Sequence, residues 1–135
     1  MRRWGMAAII VTAVAGCGGK KPEDAVRTTL QGYAKAFAAH DYQAICDRYL
    51  APKLVDGVEQ RGLPCESAIR PAIAETDKPQ LAIRSIKVSG DAATARVHST
   101  AANQSPSDDT ISLSRVKGVW YIAGTVSTGP QPVAP

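Results

Sequence analysis

"ISLSRVKGVWYIAG", residues 111–124, holds a dipeptide suited to a tight turn, Lys117-Gly118, between two strand-like runs. The runs are "TISLSRV" and "VWYIAGTV", so the stretch predicts a β-hairpin. A two-residue turn pairs Leu113 with Ile122 and Arg115 with Trp120. Arg115 can then stack on the indole, worth about 0.5–2 kcal/mol. Upstream, "IKVSGDAATARV" (86–97) repeats the theme, with "SGDA" as the turn. Ala93, Ala95 and Val97 alternate with Thr94, Arg96 and His98, as in a strand with one buried face.

One strand breaks the alternation. In "QLAIRSIKV", Leu81 and Ile83 have one parity, Ile86 and Val88 the other. A regular strand cannot put all four on one face. Either a bulge lies near Arg84 and Ser85, or the strand is buried on both sides. "TAANQSPSDD" reads as a polar loop, and "STGPQPVAP" (127–135) as a frayed, proline-rich tail.

Before Pro79 the period is helical. Pro22 opens a helix, with Glu23 and Asp24 in its first turn. Val26, Leu30, Tyr33 and Phe37 form one apolar stripe, ending near Ala39. Asp41 then caps a short helix, "YQAICDRYL", with Ile45 and Tyr49 inward. Pro52 starts another turn or two. A third helical piece, "CESAIRPAIAE", contains Pro71 and predicts a kink or a split there. Helices first and an antiparallel meander last is an α+β pattern.

The chain has 135 residues, enough for one domain, and 44% of them are hydrophobic. The net charge is +4, with basic and acidic residues mixed along the chain. No electrostatic footprint for nucleic acid results. Arg2 and Arg3 precede an apolar run from Met6 to Ala15, roughly 15–17 Å long as a helix. That is too short for a hydrocarbon core of about 30 Å and reads as a secretory signal. A phosphate-binding loop fails on spacing, because Val14 stands where its first glycine belongs.

"VAGC" (Val14, Ala15, Gly16, Cys17) resembles the lipobox of bacterial lipoproteins. The resemblance implies a signal peptide over 1–16, cut before Cys17, whose thiol carries a diacylglycerol. Two acyl chains hold a protein stably on a bilayer. The implied location is the extracytoplasmic face of the cell membrane. Residues 17–22 then form a lipidated tether. Five residues of it reach at most roughly 17 Å, which keeps the domain against the surface. Lys20 and Lys21 lie where anionic headgroups are. With Cys17 lipidated, Cys46 and Cys65 remain as a pair. Outside the cytoplasm a disulfide between them persists and is worth about 3 kcal/mol; two free buried thiols are the alternative. His40 and His98 lack ligand spacing from either cysteine, so no metal is expected.

"YAKAFAAHDYQAICDRYL", "IKVSGDAATARV" and "ISLSRVKGVWYIAG" together resemble the NTF2-like (cone-shaped, SnoaL-like) superfamily. The likeness is greatest to the domains carried by lipoproteins of high-GC Gram-positive bacteria, and a cystatin-like fold is the runner-up. It spans residues 23–126. It implies N-terminal helices packed on a bent antiparallel sheet of about four strands, enclosing a cone. Tyr33, Phe37, Tyr49 and Trp120 are candidate cone residues. Some members of the superfamily are isomerases, cyclases or dehydratases using Asp, His and Tyr; others only bind, so the fold alone decides nothing.

No catalytic constellation emerges. Asp47 is expected to face away from the cone, His98 to lie on the outer parity, and His40 to sit at a helix corner beside Asp41. Asp108 and Asp109 fall in the polar loop with no third ligand. The expectation is a non-catalytic envelope module that binds another envelope protein and needs no cofactor. A carrier of a small apolar ligand is the alternative and requires a cavity of roughly 300 Å³ or more. An enzyme requires an ionisable group inside the cone.

Overall fold

The computed structural model describes residues 21–127. The segment expected to be a signal peptide (1–16), Cys17 and the tail beyond residue 127 lie outside these. α1 (Pro22–Ala38) has proline in its first turn and Glu23 and Asp24 beside it. It ends at His40, whose φ of 54° reverses the chain. Asp41 Oδ1 then accepts the Ala44 N–H at 3.0 Å and caps α2 (Tyr42–Ala44).

The next five residues, Ile45–Tyr49, form a π-helical turn rather than the continued α-helix expected there. The Leu50 N–H donates to the Ile45 carbonyl, five residues back. Ile45 and its neighbour Cys46 are both buried. α3 (Pro52–Glu59) and α4 (Cys65–Ala74) complete the helical layer. Pro71 does not split α4: the residue four before it, Ser67, is exposed, so water can satisfy the freed carbonyl.

β1 (Gln80–Ser89), β2 (Ala92–Ala101), β3 (Gln104–Val116) and β4 (Val119–Ser127) form an antiparallel sheet in sequence order. A bulge leaves Arg84 unpaired between Ile83↔Val97 and Ser85↔Arg96. It turns Leu81, Ile83, Ile86 and Val88 onto one face, and all four pack on the main core. The β3–β4 turn uses Lys117 (φ 51°) and Gly118 (φ 79°), the pair of positive φ values a type I′ turn requires. Its register pairs Leu113 with Ile122 and Arg115 with Trp120.

The polar loop expected over 100–109 is instead mostly strand. Only Ala102 and Asn103 turn, and β3 begins at Gln104. Ladder pairing outweighs polar composition here: Ser99 faces Ser107, and His98 faces Asp108. Pro106 is tolerated because it lies where the β2–β3 register shifts.

Val26 and Leu30 of α1 pack with Ala93, Ala95, Val97, Ile111, Leu113, Trp120 and Ile122. A second cluster, Ala36, Ile45 and Ile73, joins α1 to the other helices. The Ala51 N–H donates to the Ile122 carbonyl at 2.8 Å and ties the helical layer to β4. The disulfide Cys46–Cys65 joins the π-helical turn to α4, with Cα atoms 6.1 Å apart.

Candidate functional site

The inner face of the sheet changes character along its length. Near the two tight turns it is filled by Ala93, Leu113 and Trp120. Toward the other end the inward positions become Leu81, Ser99, Ser107, Asp109 and Thr125. There the sheet and the C-terminal half of α1 enclose a cavity of about 260 Å³. Tyr33, Ala34 and Phe37 form its helical wall. Leu81 and Ile111 add apolar surface, and Gln80, Thr100, Gln104 and Ser105 supply polar groups. An apolar cavity of about 150 Å³ suffices for benzene, and drug-sized sites begin near 300 Å³. This volume suits a ligand of one or two rings. It falls short of the roughly 300 Å³ required above of a carrier of a small apolar ligand.

Two ionisable side chains line the cavity, Tyr33 and Asp109. Burial pushes the Tyr33 hydroxyl above its ordinary pKa, so it stays protonated and can donate. Its ring meets Phe37 edge-on at 5.9 Å and Tyr49 at 6.5 Å, which fixes its direction. Asp109 Oδ2 accepts a hydrogen bond from Ser107 Oγ at 2.9 Å. Asp109 Oδ1 is shielded from solvent and has no hydrogen-bond partner. Buried acceptors are nearly always satisfied, so an orphan beside a cavity is informative.

The rim is braced chiefly by Asn103, with Gln104 Nε2 donating to Thr76 Oγ1 at 3.3 Å beside it. Asn103 Oδ1 accepts the Asp77 N–H at 2.9 Å, and Asn103 Nδ2 donates to the Glu75 carbonyl at 2.6 Å. These bonds clamp the α4–β1 connection to the β2–β3 turn, beside the lining residues Thr76, Pro79 and Gln104.

Tyr33 and Phe37 of the four candidate cone residues line the cavity; Tyr49 and Trp120 lie elsewhere. Tyr49 packs with the second core cluster, and Trp120 is buried near the turn end of the sheet. The Arg115 guanidinium sits 5.4 Å from the Trp120 ring centroid. Asp47 is exposed. His98 lies on the outer face, where its Nδ1–H donates to Asp108 Oδ1 at 2.8 Å. His40 stacks on Tyr42. Among the described residues no group of three or more His, Cys, Asp or Glu could hold a metal ion. Among them, too, no helix is long and apolar enough to cross a membrane. From the sequence Asp109 reads only as a loop carboxylate lacking a third metal ligand, because residues 100–109 read as a loop. Extending the parity of Leu113 and Ile111 backwards would have found it.

The architecture is NTF2-like, and solved structures share it. An NTF2-like protein of unknown function from Silicibacter pomeroyi DSS-3 matches at 20% identity and a TM-score of 0.55, covering 78% of this chain and 92% of that one. One from Shewanella oneidensis MR-1 matches at 17% identity and 0.58, covering 79% and 98%. A third, from Shewanella baltica OS155, matches at 15% and 0.53, covering 79% and 94%. At such identities the likeness establishes the fold alone. No protein-family model and no curated protein matches the sequence.

Proposed function

We propose that this chain is a lipid-anchored, extracytoplasmic binding module whose cone takes a small ligand of one or two rings bearing a hydrogen-bond donor. The Asp109 carboxylate carries this reading: its Oδ1 is buried without a partner, and a turn of the carboxylate would bring that acceptor to an ammonium, amide or hydroxyl hydrogen in the cavity. Phe37, Leu81 and Ile111 would cover the rings, and Tyr33 offers a second polar contact. This internal acceptor favours a ligand in the cone over an envelope protein on the outer surface.

Two features support the envelope location. "VAGC" ends a short apolar leader. The Cys46–Cys65 disulfide is a bond that persists in oxidising compartments. A Cys17→Ala variant should leave the membrane fraction for the medium. Its retention on membranes would sink the anchor.

A second reading has one observation in its favour. An inward carboxylate beside a tyrosine meets the minimum for acid–base chemistry of the isomerase or dehydratase kind. The test is to mix the purified protein with a library of small aromatic amines and alcohols. Ligands are found by thermal shift, and the mixture is then assayed by mass spectrometry. A ligand recovered unchanged, with its shift lost in Asp109→Asn, supports binding. Turnover that Asp109→Asn abolishes would replace it with catalysis.

A further inference from the structure

α1 runs opposite to β1, so its two ends lie at opposite ends of the sheet. α1 packs chiefly on β1, and Val26 near its start belongs to the main core. Tyr33 and Phe37, near its end, line the cavity with Leu81 and Thr125. From Leu81 to Ser89 a strand climbs about 25 Å. The tether therefore enters at the turn end of the sheet, and the cone lies at the far end.

At the turn end the two hairpins are locked together. The Arg115 N–H donates to the Asp91 carbonyl at 2.7 Å, and the Arg115 guanidinium pairs with the Asp91 carboxylate at 2.8 Å. Beyond this lock, Val116 and Val119 are 41% and 48% exposed and flank Lys117. A short apolar pair around a cation has the composition of an interfacial contact. Lys21 adds positive charge at the same end, with Arg27 further along α1. Glu23 and Asp24 oppose them in part, whereas Asp91 is neutralised by Arg115.

We infer that the β3–β4 turn, residues 116–119, is a second membrane contact, with its two valines in the headgroup layer of an anionic leaflet and the cone held away from the bilayer. The inference rests on the anchor proposed above. A tether of five residues, Cys17 to Lys21, spans at most roughly 17 Å, so the end of the domain that it enters must lie close to the lipid. Charge sets the choice of lipid: Lys21 and Lys117 at this end favour anionic headgroups.

The test uses full-length protein, expressed with its leader and purified from membranes. It carries Val119→Cys labelled with an environment-sensitive fluorophore. Parallel samples carry the label at Val116→Cys, or at Gln104→Cys beside the cone. Each is reconstituted into phosphatidylcholine–phosphatidylglycerol vesicles containing a shallow lipid quencher. Quenching of about two-fold at 116 or 119 with none at 104 is expected, because interfacial segments sit about 5–10 Å deep. The quenching should weaken in pure phosphatidylcholine. Protein that floats with the vesicles yet shows no quenching at 116 and 119, or equal quenching at all three positions, overturns the contact and leaves the anchor standing. Protein that does not float overturns both.

Discussion

Gly32 lacks a side chain where Tyr49 needs the room. A Cβ at Gly32 would lie 2.5 Å from the Tyr49 hydroxyl oxygen and 2.8 Å from a ring carbon. α1 and the π-helical turn therefore touch through a bare backbone and a flat ring. Alanine in mid-helix normally stabilises by about 1 kcal/mol over glycine. Here the ring is packed among Tyr33, Ile45 and Ile73 and cannot swing away freely. Gly32→Ala should lower stability by about 1 kcal/mol, as for other overpacked sites. In a Tyr49→Leu background the same change should raise it by about 1 kcal/mol. Denaturant unfolding of the four proteins in this cycle measures both signs, and a stabilised Gly32→Ala in the parent would refute the clash.

Asn103 holds the rim of the cone with two hydrogen bonds from one amide. Asn103→Ala removes both, at a net cost of about 1–2 kcal/mol. The Asp77 N–H loses its acceptor, so its hydrogen exchange should accelerate about tenfold. Leu113, deep in the main core, should exchange at an unchanged rate. Equal acceleration at both would mean that the domain is destabilised globally and that the amide does not brace the rim locally.

The parts of the fold that were legible in the sequence are those where local chemistry and tertiary packing agree. Lys117-Gly118 can adopt the positive φ values a two-residue hairpin demands, and the register from the turn back to Leu113↔Ile122 follows from it; a bulge between Ser112 and Leu113 shifts the pairing beyond. The parity break around Arg84 offered two explanations, and the structure chose the bulge. Residues 100–109 misled because polarity there has two causes. Asn103 is polar because it sits in the turn, but Ser107 and Asp109 are polar because they face a cavity. A strand that lines a pocket gives up the apolar alternation by which strands are recognised. The π-helical turn was illegible for another reason. Its Ile45 and Cys46 are buried side by side, which an α-helical stripe does not anticipate.

On the outer face, the His98 Nδ1–H donates to Asp108. That bond holds the Asp108 carboxyl below its ordinary value of 3.8, with desolvation opposing it and the charges of His98, Arg84 and Arg96 adding to it. A carboxylate lowered in the folded state contributes stability that is fully present above its ordinary pKa. The contribution is lost as pH falls through the lowered folded value. Carbon-detected NMR titration of Asp108 should therefore give a midpoint under 3.8, and His98→Ala should move it upward. Because the pair is exposed, unfolding at neutral pH should barely respond to Asp108→Asn. A midpoint that ignores His98→Ala would show that the arginines set it.

Asp109 places stability and binding in opposition. Its Oδ1 is buried without a partner, a state that costs about 1–3 kcal/mol for an unpaired polar group. Asp109→Asn keeps the shape and removes the charge, and its amide nitrogen can stand where the orphaned acceptor was. Without ligand, the variant should be about 1 kcal/mol more stable than the parent at neutral pH. It should also lose the thermal shift produced by donor-bearing ligands, because an amide hydrogen there would meet the ligand's own donor. Tyr33→Phe should keep part of that shift, since it leaves the Asp109 acceptor and the apolar walls intact. Differential scanning calorimetry with and without ligand reads both effects on one sample. A destabilised Asp109→Asn would mean that Oδ1 supports the fold and is not reserved for a ligand, and the cone would lose its main claim to be a binding site.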